Sequence, residues 1–243
     1  MKNWLVILMS AGIITMSGTI LSAPMTKDQG DAILKELREI NQLLARQQKQ
    51  QAQVAPSNPE NLTVKSNAKY ILGKSDAPLT LVAFTDYQCP FCGRFESSTF
   101  PEIKKNYIDT GKVRFILRDL PLDFHPFALK AAQSVQCAGD QGKYWEMKEL
   151  VFKNQNKIDV DSLIGYAKDL SLKDDTFRSC MTDGKYLKEI SDEGKYAQSL
   201  GISGTPTFIL GKTVGDSVEG RVIVGAQPFA AFEAAINEML EKR

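Results

Sequence analysis

The apolar positions of this chain fall into several periods, and each period predicts a different element. Near the N-terminus, WLVILMSAGII runs almost unbroken from Trp4 to Ile14 behind Lys2 and gives way to small residues. Such a run is short for a membrane span of about 20 residues, and with its small-residue tail it predicts a secretory signal peptide over residues 1–23. Cleavage after Ala23 would leave Pro24 at the new terminus. From about Asp28 to Gln53 the period becomes helical. Ile33, Leu37, Ile40 and Leu44 alternate spacings of four and three, with charges on the other faces, until Pro56 and Pro59 end the pattern. At about 1.5 Å per residue this helix is roughly 40 Å long, and its narrow seam must be covered by its own domain or by other copies. With Leu37 and Leu44 at a and Ile33 and Ile40 at d, the branching leans toward three or four strands. Two heptads specify this weakly, so dimer and trimer both fit. Residues 24–60 are therefore expected to be an oligomerisation stalk and linker, assembling a homo-oligomer through 28–53.

From Asn61 the texture is that of a globular domain. LTLVAF, Leu79 to Phe84, is a continuous apolar run of strand length, and KVRFILRDL, Lys112 to Leu120, is a second. Between them ESSTFPEIKKNYIDTG supplies a crossover helix, so the two strands should be parallel. Phe124 to about Leu200 reads as helical, including GDQGKYWEMKELVFKNQ and VDSLIGYAKDLSL. GTPTFIL and RVIVGA then give two more strands. In the closing helix Phe229, Phe232, Ile236 and Leu240 share one face. The expectation is an α/β domain over 61–243 with a helical insertion at about 121–200.

Composition narrows the function. With 43% hydrophobic residues in 243, the chain can bury one substantial core. Its 30 basic and 29 acidic residues nearly cancel, so no global field draws it to nucleic acid or to an anionic membrane. Export would place its 4 cysteines in an oxidising compartment, where disulfides persist.

The chemistry centres on FTDYQCPFCGRF. A structural zinc site needs four ligands, but Cys137 and Cys180 stand apart and His125 is the single histidine. A redox pair fits better. A cysteine just beyond a strand and at the first turn of a helix meets outward-pointing N–H groups and the positive end of the helix dipole, which favour thiolate over thiol. Cys89 is the expected nucleophile and Cys92, one turn further in, its resolving partner. Pro90 suits the first helical turn, and Phe91 is the exposed position expected to tune the potential. No organic cofactor is required, and no metal is assigned.

A strand followed by DYQCPFC, a helical block, then SGTPTFILG with a last strand and helix resembles the DsbA family of thioredoxin-fold proteins over about Asn61 to Arg243. The resemblance implies a thioredoxin-like fold, a cis peptide before Pro206 facing the cysteines, and substrate binding by Thr205. It also implies reoxidation by a quinone-linked membrane partner. Thioredoxin and DsbA differ by about 150 mV, roughly 7 kcal/mol for two electrons, and the motif alone does not place a protein within that span. Many relatives carry a buried glutamate six residues before the first cysteine, where Ala83 stands here, leaving Asp86 or water to handle the proton near Cys92.

Cys137 and Cys180 are expected to pair in an oxidising compartment, closing a loop of about forty residues; the alternative is two buried free thiols. His125, before Pro126, reads as a turn or helix-start residue, and no catalytic role is assigned to it. Phe84, Phe95 and Trp145 read as core. The leading expectation is a periplasmic thiol-disulfide oxidoreductase acting on cysteines of secreted client proteins. An oligomeric isomerase kept reduced is the alternative, and Cu(I) binding by the reduced pair a further one.

Overall fold

The computed structural model of the chain describes residues 26–54 and 60–241, without the side chains of 44–54. The expected signal peptide (1–23), Pro56, Pro59 and the side chain of Leu44 lie outside the described residues. The chain divides into two compact units, 1–56 and 57–243, each taken by itself.

In the first unit, α1 spans Lys27–Val54. It begins one residue before the periodicity does because Thr26 and Gln29 cap it reciprocally. The Gln29 N–H donates to Thr26 Oγ1 at 3.3 Å, and the Thr26 N–H donates to Gln29 Oε1 at 3.0 Å. Ile33, Leu37 and Ile40 are about half exposed (47, 50 and 51%), as are Leu34 and Leu43, so the apolar stripe is wider than the heptad seam.

The second unit is built on a six-stranded sheet of order β1-β6-β5-β3-β4-β2. The strands are β1 (Asn61–Lys65), β2 (Ile71–Leu72), β3 (Leu79–Thr85), β4 (Val113–Asp119), β5 (Thr207–Val214) and β6 (Ser217–Val224). β3 and β4 are parallel and every other pair is antiparallel. β3 is central and buried along its whole length, as its unbroken apolar run requires. The two edge strands β1 and β2 carry no apolar run, which is why periodicity missed them. β5 and β6 form a hairpin in which Val214 pairs with Ser217 and Gly215 supplies φ +56° at the turn.

The crossover from β3 to β4 is one helical path: α2 (Pro90–Arg94), a wide π turn (Phe95–Thr99), α3 (Phe100–Ile103) and a second π turn (Lys104–Ile108). Pro101 has no N–H to offer the Ser97 carbonyl, and at this point the Phe100 N–H reaches back to Phe95 O instead.

Between β4 and β5 the chain inserts α4 (Ala128–Gly139), α5 (Tyr144–Lys153), α6 (Val160–Asp169), α7 (Asp174–Thr182) and α8 (Leu187–Ser199). Helix α9 (Phe229–Glu241) closes the unit. Successive strand residues feed opposite faces. Leu81, Ala83, Phe115, Leu117, Phe208 and Leu210 pack with α9 and most of the insertion. Val82, Phe84, Ile116 and Ile209 pack with Ala197 of α8 and Ile202. Phe95 and Phe84 are core, and Trp145 packs partly buried against it. The result is a thioredoxin-like fold carrying a helical insertion.

Candidate active site

β3 delivers its C-terminal end to the start of α2, and Cys89 sits at the junction. Its backbone is extended (φ −67°, ψ 121°), it occupies the N-cap of α2, and Pro90 takes the first helical position. Cys89 and Cys92 are both reduced and both buried, while Phe91 between them is 54% exposed.

The two thiols are driven apart in acidity. The Cys89 thiol is lowered to about 5, chiefly by the hydrogen bond from Cys92; burial opposes this, while the Thr205 hydroxyl and the N–H groups of Cys92 and Phe91 favour the thiolate. Cys92 is pushed up, first by burial, then by the hydrogen bond it makes to Cys89 and by that neighbour's negative charge; the Thr85 hydroxyl and the Asp86 N–H work in the other direction. The Thr205–Pro206 peptide is cis, and the Thr205 carbonyl accepts from the Cys89 thiol at 3.4 Å. The strand β5 that follows pairs with β3, Phe84 opposite Thr207, so sheet register brings Thr205 to Cys89 across 116 residues of sequence.

Asp86, expected with water to handle the proton near Cys92, is built into the active-site loop. Its buried carboxylate accepts three bonds, from the N–H of Gln88 at 2.7 Å, Cys89 at 3.1 Å and Leu122 at 2.8 Å, and it lies 2.8 Å from His125 Nδ1. The side chain that reaches Cys92 is Thr85, a residue the sequence reading passed over because it belongs to the strand. His125 is thus tied to the active-site loop, and Phe124 beside it is 74% exposed. Phe127, 45% exposed, has its N–H bonded to Gln88 Oε1 at 2.8 Å. Phe91 of α2 and Phe124 and Phe127 before α4 are thus exposed aromatic rings on segments at or bonded to the active-site loop.

Gln155, between α5 and α6, was also missed. Its Nε2 donates to the carbonyls of Tyr87 and Cys89, both at 2.9 Å. Three buried ionisable groups lie nearby as well: Glu96, one turn beyond Cys92, is ion-paired with Lys148 of α5, whose ammonium lies 3.9 Å from the Phe100 ring centre. Asp119, at the end of β4, is pushed up to about 7 by burial, against the hydrogen bond it receives from Gln136 at 2.8 Å. Cys137 of α4 and Cys180 of α7 form a disulfide, remote in role from the reduced pair. Among the described residues no group of three or more His, Cys, Asp or Glu is placed to hold a metal ion.

The architecture matches that of solved proteins. The DsbA protein α-DsbA1 of Wolbachia pipientis is 30% identical, with a TM-score of 0.65 over 71% of this chain and 90% of that one. Oxidised BdbD of Bacillus subtilis is 25% identical, with a TM-score of 0.64 over 75% of this chain and 100% of that one. A family model described as thioredoxin matches residues 65–238. The chain belongs to the thioredoxin family, in its DsbA-like group. A curated relative of this DsbA-like chain, "Na(+)/H(+) antiporter NhaA 1" of Salinispora arenicola, is 34% identical over 175 residues, covering 72% of this chain and 25% of that protein. The DsbA-like chain thus spans about a quarter of the length of the curated relatives it matches. Among its described residues no helix is long and apolar enough to cross a membrane.

Proposed function

We propose that this protein is an exported thiol-disulfide oxidoreductase that introduces disulfides into secreted client proteins through Cys89 and Cys92. The observation that carries the reading is the split in acidity within the pair: Cys89 lowered to about 5 and Cys92 raised. A low thiol pKa stabilises the reduced form as thiolate, which makes the disulfide form the stronger oxidant and makes Cys89 a good leaving group. A client thiolate attacks Cys89 Sγ of the disulfide form, breaking the Cys89–Cys92 bond. The leaving Cys92 sulfur, buried and basic, takes up a proton with the Thr85 hydroxyl beside it. A second client thiolate then attacks the client sulfur of the mixed disulfide and expels the Cys89 thiolate. The client has lost two electrons and the enzyme dithiol has gained them; a membrane quinone-linked partner reoxidises the dithiol. Thr205 and Pro206 present backbone to the client, while Phe91, Phe124 and Phe127 offer apolar contact to an unfolded segment. Export through residues 1–23 to the periplasm completes the reading.

A second reading draws support from α1, whose half-exposed apolar stripe suits a dimeric or trimeric stalk. Several CPFC sites held around one misfolded client would make the protein a disulfide isomerase. The test compares the mature protein with a form beginning near Asn61, scoring oxidation of a reduced client and reactivation of a scrambled one. Oxidation by both forms without reactivation is expected. Reactivation that depends on the N-terminal residues would overturn the oxidase reading in favour of the isomerase.

A further inference from the structure

The active-site loop is held to the helical insertion at several points, and one of them differs from the rest. Asp86 and Gln88 bind Leu122, His125 and Phe127, but these bonds lie upstream of the nucleophile. Gln155 alone among the described side chains hydrogen-bonds the carbonyl of Cys89 itself. Its Nε2 carries two hydrogens, and the structure gives one to Tyr87 O and one to Cys89 O, both at 2.9 Å. The Cys89 carbonyl also accepts the Gly93 N–H at 3.1 Å, the first bond of α2.

The seat of Gln155 is firm. Phe152, one turn earlier, is buried and packs its ring at a tilt against Tyr87 with ring centres 4.8 Å apart, Asn154 Nδ2 donates to Leu150 O at 2.8 Å, and Ile158 is buried. On the other side the amide lies against Gly93. A Cβ at residue 93 would fall 1.9 Å from Gln155 Oε1 and 2.6 Å from its Cδ. Gly93 has no need of an unusual backbone conformation in α2, so the space it leaves is the reason that a glycine fits there.

We propose that Gln155 is a positioning residue for the redox pair: its amide clamps the peptide carbonyls on either side of the nucleophile's own N–H, and Gly93 leaves the room it occupies. The clamp fixes the N-cap geometry that aims Cys89 Sγ at the N–H groups of α2. It also sets the positive end of a side-chain dipole beside the peptide of the reacting residue. This inference rests on Cys89 and Cys92 being a working redox couple.

The test uses the full-length exported protein and two readouts independent of any client: thiolate absorbance against pH, and the equilibrium with glutathione. If the parent shows no reversible dithiol–disulfide couple, the oxidoreductase reading itself fails. Given a working parent, Gln155→Ala and the shape-preserving Gln155→Glu should reduce the thiolate-stabilising effect about three- to tenfold, the range spanned by one hydrogen bond. The glutathione equilibrium should move toward the disulfide form by a similar factor. Gly93→Ala should reproduce that shift by displacing the Gln155 amide, and adding Gln155→Ala to it should recover thermal stability without restoring thiol acidity. Parental titration and glutathione equilibrium in Gln155→Ala and Gly93→Ala, whatever happens to their melting temperatures, would overturn the proposal.

Discussion

The two cysteine pairs of this protein have the same side chains and opposite fates. Cys137 and Cys180 sit in the last turns of α4 and α7, 43 residues apart, with Cα atoms 5.9 Å apart. Inside a helix the backbone N–H groups are already bonded, so nothing there favours a thiolate, and the pair serves as a tie between two helices. Cys89 and Cys92 lie three residues apart at a helix start, where N–H groups have no partner. There the sulfur nearer the terminus is acidified and the deeper one is driven the other way by burial. Placement relative to the backbone, more than residue type, separates a reagent from a staple.

That contrast can be broken in three ways. Cys89→Ser has the largest expected effect: oxidation of a reduced client falls to the uncatalysed background while the fold, read by circular dichroism, is kept. Exchange surviving in that variant would mean that the acidified sulfur is not the nucleophile. Replacing Cys137 and Cys180 together by serine should do the converse. Opening a loop of 43 residues lowers stability by about 4 kcal/mol on the chain-entropy account, seen in denaturant unfolding, while exchange per folded molecule stays near the parent's.

The third effect is a pH dependence confined to the reduced active site. Cys89 titrates at about 5 in the folded protein and at roughly 8.5 unfolded. Between those values the unfolded chain binds more protons, so this group adds stability as pH rises from 5. The contribution is complete above the unfolded value and is lost as pH falls through 5. Cys92, raised, opposes it only above the ordinary thiol range. The oxidised protein has neither group. Melting the two redox forms side by side should therefore show the reduced form gaining on the oxidised one from pH 5 to 8, and a constant difference would refute the assigned acidity.

Much of the site was legible because it is local. DYQCPFC after an apolar run contains the strand, the turn, the helix-start proline and both sulfurs within one short segment, and the physics of a helix N-terminus acts over that same distance. The crossover helix, the helical insertion and α9 followed from periodicity for the same reason. The edge strands β1 and β2 did not, since an edge strand is defined by what it pairs with. β2 is two residues long and finds Phe115 and Ile116 of β4 only after that strand is placed.

The sequence by itself determined which residues could do thiol chemistry and where a helix would present them. Tertiary structure decided what surrounds them. Gln155 is 66 residues from the Cys89 carbonyl it holds, Thr205 is 116 from the thiol it meets, and Lys148 is 52 from the Glu96 it neutralises. Neither the hydrophobic period nor a motif encodes such meetings, because each depends on how whole elements pack, and a one-residue change of register or a helix rotated by one position would replace every partner. The acidity of Cys89 begins in its own turn of helix and is completed by residues that only the folded chain brings within reach.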